Sequence, residues 1–146
     1  MKEIAVNKKA FHDYEILDKY EAGISLMGTE IKSLSKGKCS IKEAYVSFVH
    51  NEAFIKEMHI AQYDEGSYNN HEETRIRKLL LHKAEIRKLA DKCKLQGLTV
   101  IPLRVYFNNG LVKVEIALAR GKSLYDKRQT DKQRSMEKAI QQALKR

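Results

Sequence analysis

The chain has 146 residues, with 28 Lys or Arg against 19 Asp or Glu, a net charge of +9 and a pI near 9.5. That length bounds a single domain, and the charge points to a polyanionic partner, nucleic acid ahead of an anionic membrane surface. No run of about 18 apolar residues is present, and the N-terminal M-K-E-I-A-V-N-K-K lacks the apolar core of a secretory signal, so the expectation is a cytoplasmic monomer without a membrane contact.

In chain order, residues 1–12 are polar and basic and read as an arm that orders on binding. From Asp13 the pattern is extended: Tyr14, Ile16, Tyr20, Ala22, Ile24 and Leu26 share one parity, the mark of a strand with one buried face. Glu21 has the other parity and points away from the core. Leu17 breaks the pattern, and Gly23 marks a bulge or a close backbone approach. Thr29 is the predicted cap of a two-turn helix that buries Ile31 and Leu34, leaves Glu30, Lys32 and Lys36 outside, and ends at Gly37.

Ser40 to Ile60 reads as a hairpin turning at His50-Asn51-Glu52. A long polar loop, Gln62 to Thr74, follows. Lys78 to Leu81 is placed as a strand, and His82 to Leu95 as a helix with Ile86, Leu89, Ala90 and Cys93 on one face and Gly97 as its stop. Thr99 to Phe107 and Leu111 to Ala119 form a second hairpin around Asn109-Gly110, with Pro102 signalling an edge or a bulge. The expected fold is mainly β with short helices: an oligonucleotide-binding-like antiparallel β-barrel over residues 1–119 with its N-terminal arm.

Residues 120–146 differ in texture. Nine basic against three acidic residues give this tail +6 of the chain's +9. Met136, Ala139, Ile140, Ala143 and Leu144 recur at helical spacing, but a lone helix of about 15 residues is marginal in water. The tail therefore reads as disordered when free and helical when docked.

Enzyme signatures are absent: no Gly-rich phosphate loop, H-E-x-x-H or G-x-S-x-G occurs. His12-Asp13 reads as neighbours on opposite faces of extended chain, and His59, His71 and His82 share no metal-ligand spacing. Cys39 and Cys93 fit none either and read as buried or half-buried thiols. No metal or other cofactor is expected. The basic residues form three groups: Asn7-Lys8-Lys9, then Arg75, Arg77, Lys78, His82 and Lys83, then the tail, where Tyr125 among cations suits base stacking.

Five blocks carry a resemblance: N-K-K-A-F-H-D-Y (7–14), E-A-G-I-S-L-M-G-T-E-I-K-S-L (21–34), N-H-E-E-T-R-I-R-K-L-L-L-H-K-A-E-I (70–86), P-L-R-V-Y-F (102–107) and A-L-A-R-G-K-S-L-Y-D-K-R (117–128). In this order and spacing they resemble the SsrA-binding protein family, SmpB. The resemblance implies an oligonucleotide-binding-like barrel and a non-enzymatic RNA-binding role. Such a protein binds the tRNA-like domain of transfer-messenger RNA (tmRNA) and brings it to stalled ribosomes for trans-translation. The implied partners are tmRNA, the small-subunit decoding centre and mRNA channel, and elongation factor Tu indirectly through tmRNA.

The resemblance implies RNA contacts for Glu21, Leu80 and Lys113; from the residues alone Glu21 also reads as a solvent-facing strand charge and Leu80 equally as plain core. The expected RNA-binding set also takes in Asn7, Lys8, Lys9, Lys32, Asn70, His71, Arg75, Arg77, Lys78, His82 and Lys83. In the tail, Arg120, Gly121, Lys122, Tyr125, Asp126, Lys127 and Arg128 match a segment used in the decoding centre. Arg120 and Ser123 stand where the family often has Lys, Ser35 where Arg is usual, and Gln62 and Glu73 where Pro is common. The alternatives are a generic single-stranded RNA-binding or ribosome-associated protein with a basic tail, and a nuclease using His12 or His71.

Overall fold

Alternating apolar residues on a run of strands need a partner face, and here the strands find it by closing on one another. The computed structural model describes residues 2–63 and 70–122. The first half runs β1 (Lys2–Val6), α1 (Lys8–Asp13), β2 (Tyr14–Ile24), α2 (Gly28–Ser35), β3 (Cys39–Ser40), β4 (Tyr45–Val49), β5 (Glu52–Lys56) and β6 (His59–Ile60). The second half runs β7 (Arg77–Leu80), α3 (Lys83–Gln96), β8 (Thr99–Asn108) and β9 (Leu111–Gly121). All pairings are antiparallel. The order β8-β4-β5-β7-β2-β9 returns to β8 through the β8–β9 hairpin, a nearly closed ring whose weakest seam is the single Val46–Val100 pair between β4 and β8. Closure leaves the ring almost no free edge. β1 adds to the outer edge of β8, and β3 and β6 form a separate ribbon.

The turns follow the backbone chemistry expected of them. His50 and Asn51 have φ of 52° and 61°, and Asn109 and Gly110 have 53° and 79°, the two positive angles that a tight hairpin of this twist requires. Gly97 ends α3 in the left-handed region at φ 64°.

Two bulges decide which core each strand residue joins. Along β2 the register slips between Ile16 and Asp18, so Leu17 is the extra residue. Tyr20, Ala22 and Ile24 therefore fill the ring with Val114, Ile116 and Leu118. Tyr14 and Ile16 have the same numerical parity but pack on the outside, against Ala10, Ile101, Leu103, Ala117 and Ala119. A second slip, between Pro102 and Arg104, makes the matching adjustment on β8.

This outer cluster corrects the reading of residues 1–12 as an arm. β1 pairs with β8 from Lys2 to Val6, and α1 covers the outward alanines of β9, whose small side chains let a helix come close. Asn7 fastens the join: its carbonyl oxygen accepts from Ala10 N–H at 3.2 Å, and its amide donates to the carbonyls of Ile41 (3.2 Å) and Pro102 (3.1 Å). The partners lie 34 and 95 residues away, so local sequence carries no sign of them.

The predicted face of α2 is also corrected. Its buried residues are Glu30, Ser33 and Leu34, and Ile31 is exposed. The N-cap is Met27, whose N–H donates to Glu30 at 2.7 Å, and the Thr29 hydroxyl instead meets the His71 ring at 2.9 Å.

Candidate RNA-binding surface

Outside the ring, adjacent strands line up their outward residues in rows. One row reads Leu80 on β7, Gly23 on β2, Lys113 on β9, Tyr106 on β8 and Glu3 on β1. Glycine contributes no side chain, so a hollow opens between Leu80 and Lys113, roughly 10 Å apart across two strand spacings. The space is tight at its base: a Cβ on Gly23 would lie 3.2 Å from Leu80 Cβ. Glu21 stands two residues along β2, opposite Glu115. Arg104 donates to Glu115 at 2.9 Å, and the Tyr106 hydroxyl reaches over to donate to Glu21. Burial, followed by that carboxylate, pushes the Tyr106 phenol up to about 12, so it stays a donor at any physiological pH.

Glu21, Leu80 and Lys113 thus open into one groove of about 540 Å³, walled also by Glu52, Lys78, His82, Lys83 and Glu85. It holds three lysines and three glutamates. Lys78 pairs with Glu52 at 3.6 Å, and Glu85 accepts from the His82 N–H at 3.2 Å to start α3. A groove so balanced is a poor track for phosphates alone. Its carboxylates can accept from ribose hydroxyls and base amino groups, and its lysines can meet the phosphates between them.

A family model described as SmpB protein matches residues 4–146. The chain belongs to the SmpB family. SsrA-binding proteins of Acholeplasma laidlawii (54% identical, 99% of this chain and 97% of that one) and Sulfurihydrogenibium sp. (53%, 99% and 95%) are among its relatives. A solved structure described as "tmRNA-SmpB: a journey to the center of the bacterial ribosome" is 46% identical, with a TM-score of 0.70 over 86% of this chain and 92% of that chain.

Against that SmpB framework, the expected contact residues divide. Lys8, Lys78, His82 and Lys83 are exposed, and Lys113 is half-buried at the groove. Lys9 is exposed but neutralised locally, 3.3 Å from Glu43 and 3.9 Å from Asp13. Lys32 lies 5.3 Å from the centre of the Tyr63 ring, with Lys36 at 5.0 Å. Asn70 pinches the base of its loop, donating to Tyr63 O at 2.7 Å and accepting from Tyr63 N–H at 3.2 Å.

Asn7, His71 and Arg77, also among the expected contacts, are buried, each with partners inside the fold. His71 Nε2 lies 2.9 Å from the Ile60 carbonyl, which can only accept. Arg77 gives Nε to Glu30, Nη1 to Met58 O at 2.6 Å and Nη2 to Glu73 O at 3.1 Å. Arg75 is half-exposed and reaches the same Glu30 at 2.6 Å. A carboxylate at the first turn of α2 thus draws in both arginines, and no periodicity argument foresees an ion pair closed over 47 residues.

His12 and Asp13 lie in α1, not in extended chain, and their side chains meet at 3.0 Å. No group of three or more His, Cys, Asp or Glu able to hold a metal occurs among the described residues. Arg120 and Gly121, assigned to the tail, continue β9, and Lys122 N–H donates to Asp13 O at 2.9 Å. Ser123, Tyr125, Asp126, Lys127, Arg128 and the stripe from Met136 to Leu144 lie outside the described residues. Sequence reading missed Tyr106, whose outward parity was visible but whose link to Glu21 spans 85 residues.

Proposed function

We propose that the protein is a non-enzymatic adaptor that binds the tRNA-like domain of tmRNA through its barrel and acts in ribosome rescue by trans-translation. Its relatives are SsrA-binding proteins and its family is a non-enzymatic, RNA-binding one. The observation that carries the reading is the convergence of Glu21, Leu80 and Lys113 in one groove of balanced charge. Glu21, Lys113, Lys78, His82 and Lys83 contact the RNA. Asn7, His71 and Arg77 hold the framework behind them.

The barrel and the tail are separate functional parts. Residues 123–146 carry seven basic and three acidic residues, and they serve the decoding centre and the mRNA channel of the small subunit. Elongation factor Tu joins through tmRNA, in the cytoplasm. Truncation after Lys122 separates the parts. Affinity for the tRNA-like domain should stay within a few-fold of the full chain, while tagging on stalled ribosomes is lost. Loss of RNA binding on truncation would overturn this division of labour. Equal affinity for unrelated RNA of the same length would favour a generic single-strand binder.

A further inference from the structure

Beside the groove lies a second hollow of about 250 Å³, different in character. Its walls are almost wholly apolar: Leu26, Ile31, Leu80, Leu111 and Val112, with Lys113 at the rim. Three of these residues stand in water, Ile31 at 41% exposure, Leu80 at 55% and Leu111 at 61%. They come from α2, β7 and the start of β9, at the tip of the β8–β9 hairpin. α2 turns an isoleucine outward, which leaves apolar surface in water in the free protein. A contiguous apolar surface of this kind marks a binding site.

Gly23, Leu80 and Lys113 line both hollows, so the apolar cup is continuous with the polar groove. We infer that the cup takes one unpaired nucleobase, splayed out of the bound RNA, while Lys113 meets the phosphate of the same nucleotide. The size suits a single planar base better than a helix of a protein partner. The lysine at the rim suits a nucleotide better than a lipid tail. Sequence-specific RNA recognition generally works on splayed bases of this sort. The inference rests on the reading of the groove as an RNA-binding surface and adds what it reads: an unpaired base, held by apolar contact.

The test uses the full-length protein and the tRNA-like domain of tmRNA, with abasic sites replacing its unpaired nucleotides one at a time. With the unaltered protein, one abasic position should weaken binding about ten-fold. In Ile31→Ser and Leu111→Ser, both at exposed positions, intact RNA should bind about ten-fold more weakly with its salt dependence unchanged, and that abasic position should cost nothing further. Lys113→Ala should instead flatten the salt dependence. If tight binding of intact RNA persists but no abasic position couples to Ile31 or Leu111, the cup takes no base and the inference is overturned, with the RNA reading left standing. If the unaltered protein fails to bind the RNA at all, the underlying reading falls and the inference with it.

Discussion

Glu30 is fully buried and gathers hydrogen bonds from the Met27 N–H, Arg75 and Arg77. Burial opposes its ionisation, but the hydrogen bonds from Arg75, the Met27 N–H and Arg77 outweigh that and hold the carboxyl below its ordinary value of 4.5. Removing one partner of a buried pair strands the other, so Glu30→Ala should cost about 3–5 kcal/mol in urea unfolding. The pH dependence has a definite sign. With the folded value depressed, this contribution is whole above the ordinary carboxylate range and is lost as pH falls through the folded value. Unfolding midpoints should therefore fall more steeply with acid in the parent protein than in Glu30→Gln. Tyr106 makes a different kind of test. Tyr106→Phe removes the donor that aims Glu21, and RNA affinity should drop about three- to ten-fold, as for loss of one hydrogen bond. The drop should vanish in a Glu21→Gln background, where the oriented carboxylate is already gone.

Among the elements, α1 shows how far a short helix can depend on its surroundings. Six residues make too little helix to stand alone, and only Ala10 is buried. Its stability comes from Asn7 below it and from the flat floor formed by Ala117 and Ala119. Ala117→Leu should lift α1 and destabilise the fold by about 1–3 kcal/mol, measured by denaturant unfolding, with α1 losing hydrogen-exchange protection first. The same substitution on an uncovered outward position would cost little. α3 was more legible, because its apolar stripe and its terminal Gly97 are both local. It runs Lys83–Gln96 against an expected His82 to Leu95, and Ile86 and Leu89 are buried as the stripe required. β2 was legible as a strand but not as a strand with two faces in use, since the bulge at Leu17 depends on pairing with β9.

For the molecule as a whole, charge is unevenly divided between functions. Residues 1–122 hold +5 and residues 123–146 hold +4, so a sixth of the chain carries nearly half the excess. Counterion release makes polyanion binding fall with salt in proportion to the phosphates neutralised. Unrelated single-stranded RNA should therefore show a steep salt dependence with the full chain and a shallow one after truncation at Lys122. For the tRNA-like domain the two slopes should be close, because the groove works through balanced charges and shape. Filter binding across a salt series measures both.

Several features were set by the amino-acid sequence alone: strand alternation, the turns at His50-Asn51 and Asn109-Gly110, the stop at Gly97, the basic tail and membership of the family. Each depends on residues within a few positions of one another, or on composition, and neither needs a folded chain to be read. Only the tertiary structure decided which side of the ring Tyr14 and Tyr20 occupy, that Glu30 goes in while Ile31 comes out, and that Gly23 separates Leu80 from Lys113. It also placed Asn7, His71 and Arg77 inside the fold, with partners far away in sequence. The reason is physical. A strand's side chains alternate with period two, so one inserted residue exchanges its faces, and that insertion is settled by hydrogen bonds to a strand about a hundred residues away in the β2–β9 pair.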